Sequence, residues 1–300
     1  MSEQANDNGR PGTLVMPRTG IARDRRAHAA DRSTRRTGQF DRGFSIDFSR
    51  PESLSAADLD EILDLVTRYF VESKGWIGPA IEGCDRVIRY RSNDGGELAG
   101  ISLLVVDDLT HEDRRVRVLY TRAVLLREYA RGRNLIQRAG LRSFLRFGMT
   151  ARRSVYWFTE CDTFRSYLLG MRNLENAWPR SETPIPAFEG SLYDYLCKMK
   201  CGKFWNATRR VRTPITGRTM APDLLSIPAR LLGDPDVAFF VRMNPGHMNG
   251  DSLPILAVLD LKNILFIVRR AWARLWTRTR TRTRTRTRRP AALEPNSLTE

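Results

Sequence analysis

The sequence predicts an α/β fold: a mixed, mainly antiparallel sheet flanked by helices, with a C-terminal helical extension and disordered termini. Three patterns carry this expectation. Leu59, Ile62, Leu63, Val66 and Phe70 recur at helical spacing. Two β-type runs, 86–91 and 98–106, are separated by Asn93-Asp94-Gly95-Gly96, whose residue types suit a hairpin turn. Residues 116–146 read as an apolar strand, the tight turn Arg131-Gly132-Arg133-Asn134, and a helix.

Each element follows from local chemistry. Residues 1–43 carry nine arginines and five acids with few large apolar groups, so they form a basic arm that cannot offset its ordering entropy. Ser55 followed by Asp58 is a capping-box pair at the start of the first helix. The segment Lys74 to Pro79 reads as a loop in which Trp76, between glycines, is a packing plug or a substrate wall. The first strand of the hairpin alternates apolar and basic residues, and the second is continuous enough to be buried on both faces. A polar loop with His111 leads to the strand 116–125, and the helix after the glycine turn spans about 134–147. That helix has an apolar face and an arginine row, Arg138, Arg142 and Arg146.

A strand at 154–159 and a helix bearing Phe164, Tyr167, Leu168, Met171 and Leu174 follow, ending at Trp178-Pro179. An insertion at about 181–222 holds a proline-rich link, a short helix near 191–199, a strand near 205–213 and a looser linker. Residues 237–243 read as a strand. Val258, Leu261, Leu265, Val268, Trp272 and Leu275 then share one face of a helix over 254–276, followed by six Thr-Arg dipeptides and a tail to 300. The organisation is thus an arm (1–43), one domain (44–253, core 55–180), an amphipathic helix (254–276) and a repeat tail (277–300).

The net charge of +16 is concentrated at the ends: residues 269–289 alone hold ten arginines and no acid. That segment is the candidate for peripheral contact with an anionic membrane or for nonspecific nucleic-acid binding, and it lacks the interleaved aromatics that base stacking needs. Cys84, Cys161, Cys197 and Cys201 are too scattered for a disulfide scaffold, and with three histidines no metal site is expected. No secretory signal pattern opens the chain, and its longest apolar tract carries Asp260, Lys262 and Asn263, so a cytoplasmic location is expected, with the membrane surface as an alternative.

The turn at 131–134 comes just before a helix whose first amides have no intrahelical partner, which suits a phosphate. Together with the order of elements over about 55–180, it resembles the GNAT acyltransferase superfamily. The family signature, Gln or Arg, two residues, Gly, one residue, then Gly or Ala, falls on Tyr129-Ala130-Arg131-Gly132-Arg133-Asn134. Gly132 matches, whereas Tyr129 and Asn134 depart from the pattern. The resemblance implies acetyl-CoA or another acyl-CoA as cofactor, contacts to it at Leu125, Arg131, Gly132, Arg133 and Asn134, and transfer of the acyl group to the amine of a small molecule or peptide. Val118 stands where some members place a glutamate base. Glu160 or Asp162 beyond the next strand implies an alternative proton acceptor, with a helix-cap role the preferred reading of Asp162, and Tyr167 implies a general acid. Two other readings stay open: a non-catalytic binding protein on the same fold, and a protein acting through its basic C-terminus.

Overall fold

The computed structural model describes residues 43–260 except 71–73, 150–152, 182, 216, 217 and 219, together with 262, 263 and 265. The basic arm expected before residue 43 and the Thr-Arg repeat lie outside the described residues, as does most of the expected C-terminal helix.

A seven-stranded sheet organises the fold. In chain order its strands are β1 (Phe44–Ser49), β2 (Arg86–Ser92), β3 (Leu98–His111), β4 (Arg114–Leu126), β5 (Ser154–Cys161), β6 (Ala177–Trp178) and β9 (Leu253–Val258). In space they run β1-β2-β3-β4-β5-β9-β6, and a separate two-stranded ribbon pairs β7 (Trp205–Asn206) with β8 (Val211–Arg212). Every neighbouring pair is antiparallel except β4 and β5, which are parallel. The predicted hairpin is present, and β3 and β4 are joined by a tight turn at Glu112 and Asp113, both left-handed.

Helices cover both faces. α1 (Ala56–Thr67) starts at the expected capping box, in which Ser55 and Asp58 each accept from the other's backbone amide. It packs with α2 (Lys74–Glu82) on Val87, Leu103, Ala123 and Leu125. α5 (Ala187–Cys201) covers Val118, Tyr120, Tyr156 and Phe158 on the same face of the sheet. On the opposite face, α3 (Leu135–Ser143), prolonged by a π-helical turn at Phe144–Gly148, packs on Leu119 and Val155. α4 (Phe164–Asn173) and α7 (Pro235–Met243) enclose Cys161, Leu253, Ile255 and Ala257 there. A four-residue α6 (Pro222–Leu225) lies between β8 and α7.

Several elements correct the sequence reading. Lys74–Glu82 is helical because Ile77, Ala80 and Ile81 reach the core. Residues 237–243 form α7 and not a strand: Asp234 accepts from the amides of Asp236 and Val237, Pro235 fits the first turn, and Val237 and Phe240 are fully buried three apart. Residues 254–258 are not helical either. Leu253 to Ala257 are buried on both sides because β9 is hydrogen-bonded to β5 on one edge and to β6 on the other. Pro254 is tolerated because β6 pairs only with Leu256 and Ala257, leaving no partner opposite the missing donor. Lys262, Asn263 and Leu265 are the described helical residues beyond it.

Candidate active site

The parallel pair β4/β5 generates the cleft. Its register runs from Val116 opposite Ser154 to Thr121 opposite Thr159 and stops there, although β4 continues to Leu126. At the point of parting, the Thr159 hydroxyl donates to the Thr121 carbonyl (2.7 Å) and the Trp157 indole donates to the Thr121 hydroxyl (2.8 Å), which ties the two strands together at the vertex. On its other edge β4 carries a bulge: Leu103 faces Ala123 and Leu104 faces Thr121, so Arg122 is the inserted residue. Past the vertex one edge of β4 therefore has no strand partner.

A cavity of about 670 Å³ fills the opening. Its walls are the end of β4, the turn before α3, the first turns of α3 and α4, and the segment that brings Arg218, Met220 and Leu224 across. Gly132 has φ +72° and Asn134 φ +57°, with Arg133 between them outside the left-handed region. Alternation of that kind lets successive amides converge on an anion. A Cβ on Gly132 would meet nothing within 4 Å, so the turn opens onto free space, while Asn is the non-glycine residue best suited to the left-handed cap. The Arg138 amide bonds back to the Asn134 carbonyl at 3.0 Å, and the amides of Leu135, Ile136 and Gln137 precede this first helical bond. With the helix dipole they make this end of the cavity suited to phosphate.

Four of the five expected cofactor residues line the cavity: Leu125, Arg131, Gly132 and Asn134. Arg133 is exposed and does not. Arg131 donates to the Leu126 carbonyl and pairs with Glu128 at 3.4 Å. The signature residue Tyr129 points elsewhere, its hydroxyl donating to Glu97 at 3.0 Å.

The expected catalytic residues separate. Tyr167 is fully buried against Phe239 and Phe240, and its hydroxyl donates to the Pro179 carbonyl at 3.0 Å. Burial, with the charge of Asp236 adding to it, raises this phenol, and the residue does not line the cavity, so the structure does not support it as a general acid. Glu160 does reach the cavity wall, but both carboxylate oxygens are engaged. One accepts from the Tyr120 hydroxyl (2.7 Å), and the other is ion-paired with Arg212 at 2.6 Å and lies 3.8 Å from Arg218. Asp162 is not the cap of α4, a role filled by Thr163, whose hydroxyl accepts from the Ser166 amide. It binds Arg212 (2.6 Å), Arg218 (2.9 Å) and the Ser252 hydroxyl. Burial would raise its carboxyl, but Arg218, Arg212 and Ser252 hold it below the usual value. Val118, at the position aligned with a glutamate base, is fully buried.

Arg122, Arg212 and Arg218 are the site residues that sequence reasoning missed. Arg212 ends β8, within the stretch that reads as a strand near 205–213, and Arg218 lies in the linker after it; no local signal ties either to the site, and the tertiary path of the chain brings them to the carboxylates. No metal-holding cluster of His, Cys, Asp and Glu occurs among the described residues. None of their helices is long and apolar enough to cross a membrane.

No family model and no curated protein sequence matches this chain. Solved structures similar to it include an N-myristoyltransferase of Saccharomyces cerevisiae with bound myristoyl-CoA, at 11% identity and TM-score 0.32, over 38% of this chain and 30% of that one. A GNAT family N-acetyltransferase (YhbS) of Escherichia coli in complex with CoA aligns at 13% identity and TM-score 0.32, over 49% and 81% of the two chains. Escherichia coli ElaA aligns at 17% and 0.30, over 46% and 94%. This chain thus spans under a third of the myristoyltransferase. Likenesses this shallow add little, and the functional reading rests on the cleft itself. The mainly antiparallel sheet with its one parallel pair, and the helix entered from a left-handed turn after β4, make the fold GNAT-like in topology.

Proposed function

We propose that the cleft binds an acyl-CoA and that the protein transfers its acyl group to an amine by direct attack. The observation that carries this reading is the parting of β4 from β5 at Thr121/Thr159, which opens a 670 Å³ cavity between an unpaired strand edge and a helix N-terminus. The residues present fit the cofactor. The amides at 132–137 and Arg131 hold phosphate, the free β4 edge at 123–126 offers N–H and C=O groups to an extended arm, and Ile136, Trp157, Leu169 and Leu224 supply apolar wall. Bound there, acyl-CoA supplies an acyl group activated as a thioester.

The chain's own contribution is position and field. Glu160 and Asp162 are the carboxylates of the lining, and both are fixed by Arg212 and Arg218. They shape the wall and leave no carboxylate free to take a proton, so the acceptor reacts as its neutral amine and the rate rises with pH through the acceptor's own pKa.

Titration of the purified protein with acetyl-CoA and with a long-chain acyl-CoA tests the reading. Binding is expected, and Gly132→Trp, which forces a side chain into a left-handed turn residue on the cavity wall, is expected to abolish it. Absence of binding by either ester at millimolar concentration would sink the proposal. The fixed carboxylates also favour a second reading, a CoA-binding protein without turnover. It predicts binding with no release of free thiol when amines are added.

A further inference from the structure

Four arginines line the cavity, Arg122, Arg131, Arg165 and Arg218, against Glu160 and Asp162, and both carboxylates are already paired within the wall. Arg131 and Arg165 belong to the turn before α3 and to the first turn of α4, and Arg165 donates to the Leu224 carbonyl. Arg122 stands apart. As the bulge residue it is one position past the last β4/β5 pair, and its guanidinium rests on Gly83 just beyond the end of α2, 2.9 Å from where a Cβ would be. Among the described residues it makes no hydrogen bond and no ion pair, and it is partly buried.

A second donor shares this wall. The Arg218 side chain is 8% exposed and stacked over Trp76 at 5.1 Å; its Nη atoms are turned to Asp162 and Glu160, and its Nε is buried without an acceptor. Buried donors of this kind are rare in folded proteins and call for an acceptor. A cationic wall with its carboxylates neutralised does not attract an acceptor by its ammonium group. It attracts an anion, and a guanidinium fork matches a planar carboxylate.

We propose that the acceptor is an amino-carboxylate, a free amino acid with an apolar side chain, whose carboxylate is held by Arg122 beside Arg218 while its amine points toward the α3 end. The inference rests on the acyl-CoA reading for the role of the bound molecule. Met220, two residues beyond Arg218 and left unused by the cofactor, gives the apolar side chain its wall.

The test is a binding titration of the full-length protein, alone and with saturating CoA, using glycine, L-leucine and L-phenylalanine, each beside its carboxamide. At least one acid is expected to bind roughly ten- to hundredfold more tightly than its amide, the range a charge-assisted hydrogen bond gives. Arg122→Gln is expected to remove that preference and Arg122→Lys to keep part of it, with CoA affinity unchanged in both, which also shows that the variants fold. Equal binding of acids and amides, no binding of any acid, or a preference that survives Arg122→Gln would overturn the proposal. CoA binding without acid binding defeats this inference alone. Absence of CoA binding defeats the acyl-CoA reading, and an Arg122-dependent preference for acids would still establish the carboxylate site.

Discussion

Arg212 shows how strongly one residue can set the state of its neighbours. Its side chain is 3% exposed, as is that of Glu160, and it also holds Asp162 and Ser252. Because the Asp162 carboxyl lies below its usual value, ionised Asp162 contributes stability that is complete above about pH 4 and is lost as pH falls through the lowered folded value. Without Arg212, Asp162 loses one of the partners that offset its burial, and folding comes to favour its protonation. The deficit then grows as pH rises from the unfolded carboxylate range toward neutrality. Arg212→Met, similar in volume, is expected to cost about 3–5 kcal/mol at pH 7 and clearly less at pH 4.5. Urea denaturation at both pH values measures this, and equal deficits would contradict the assignment.

At the scale of elements, Gly170 marks a close contact between α4 and β9. A Cβ on Gly170 would lie 2.5 Å from Cδ1 of Ile255 and 3.4 Å from Trp157, and Ile255 is fully buried, so its terminal methyl has to shift within a packed core. Gly170→Ala is expected to destabilise by about 1–3 kcal/mol despite the better helix propensity of alanine. Ile255→Val removes the offending methyl, so the double variant should recover most of that loss. A double-mutant cycle by thermal or urea unfolding reads the coupling, and simple additivity would exclude the contact as the cause. The same elements show what was legible beforehand. The capping box of α1 and the β2/β3 hairpin were readable because their signals are local, a Ser three residues before an Asp and a turn-forming tetrapeptide. α7 reads as a strand although Asp234-Pro235 marks a helix start, because its apolar run over 237–241 suits either element. β9 was misread for a different reason: a short run buried on both faces has no period, and only its partners decide what it is.

For the molecule as a whole, connectivity matters more than any single contact. The turn at 131–134 is legible as a phosphate-binding turn because strand, turn and helix are contiguous in the sequence. The Glu160–Asp162–Arg212–Arg218 group is not, since its arginines arrive from 50 and 56 residues beyond Asp162 and no local pattern ties them to the carboxylates. The same long return closes the sheet. β9 lies between β5 and β6, covers the edge of β5 that faces away from β4 and the cleft, and buries Leu253, Ile255 and Ala257 against α4 and α7. A fragment ending at residue 181 would keep β1–β6 and α1–α4, yet would leave β5 with a bare, apolar edge and β6 with no partner. The segment after α4 is therefore an integral part of this sheet and not an appendage to a complete core. Fragment 44–181 is expected to aggregate or to unfold without a cooperative transition, while the full chain gives a single steep one. Circular dichroism during urea titration, with size-exclusion chromatography for association, decides between them. A monomeric, cooperatively unfolding 44–181 fragment would show that β4/β5 pairing holds the cleft without β9.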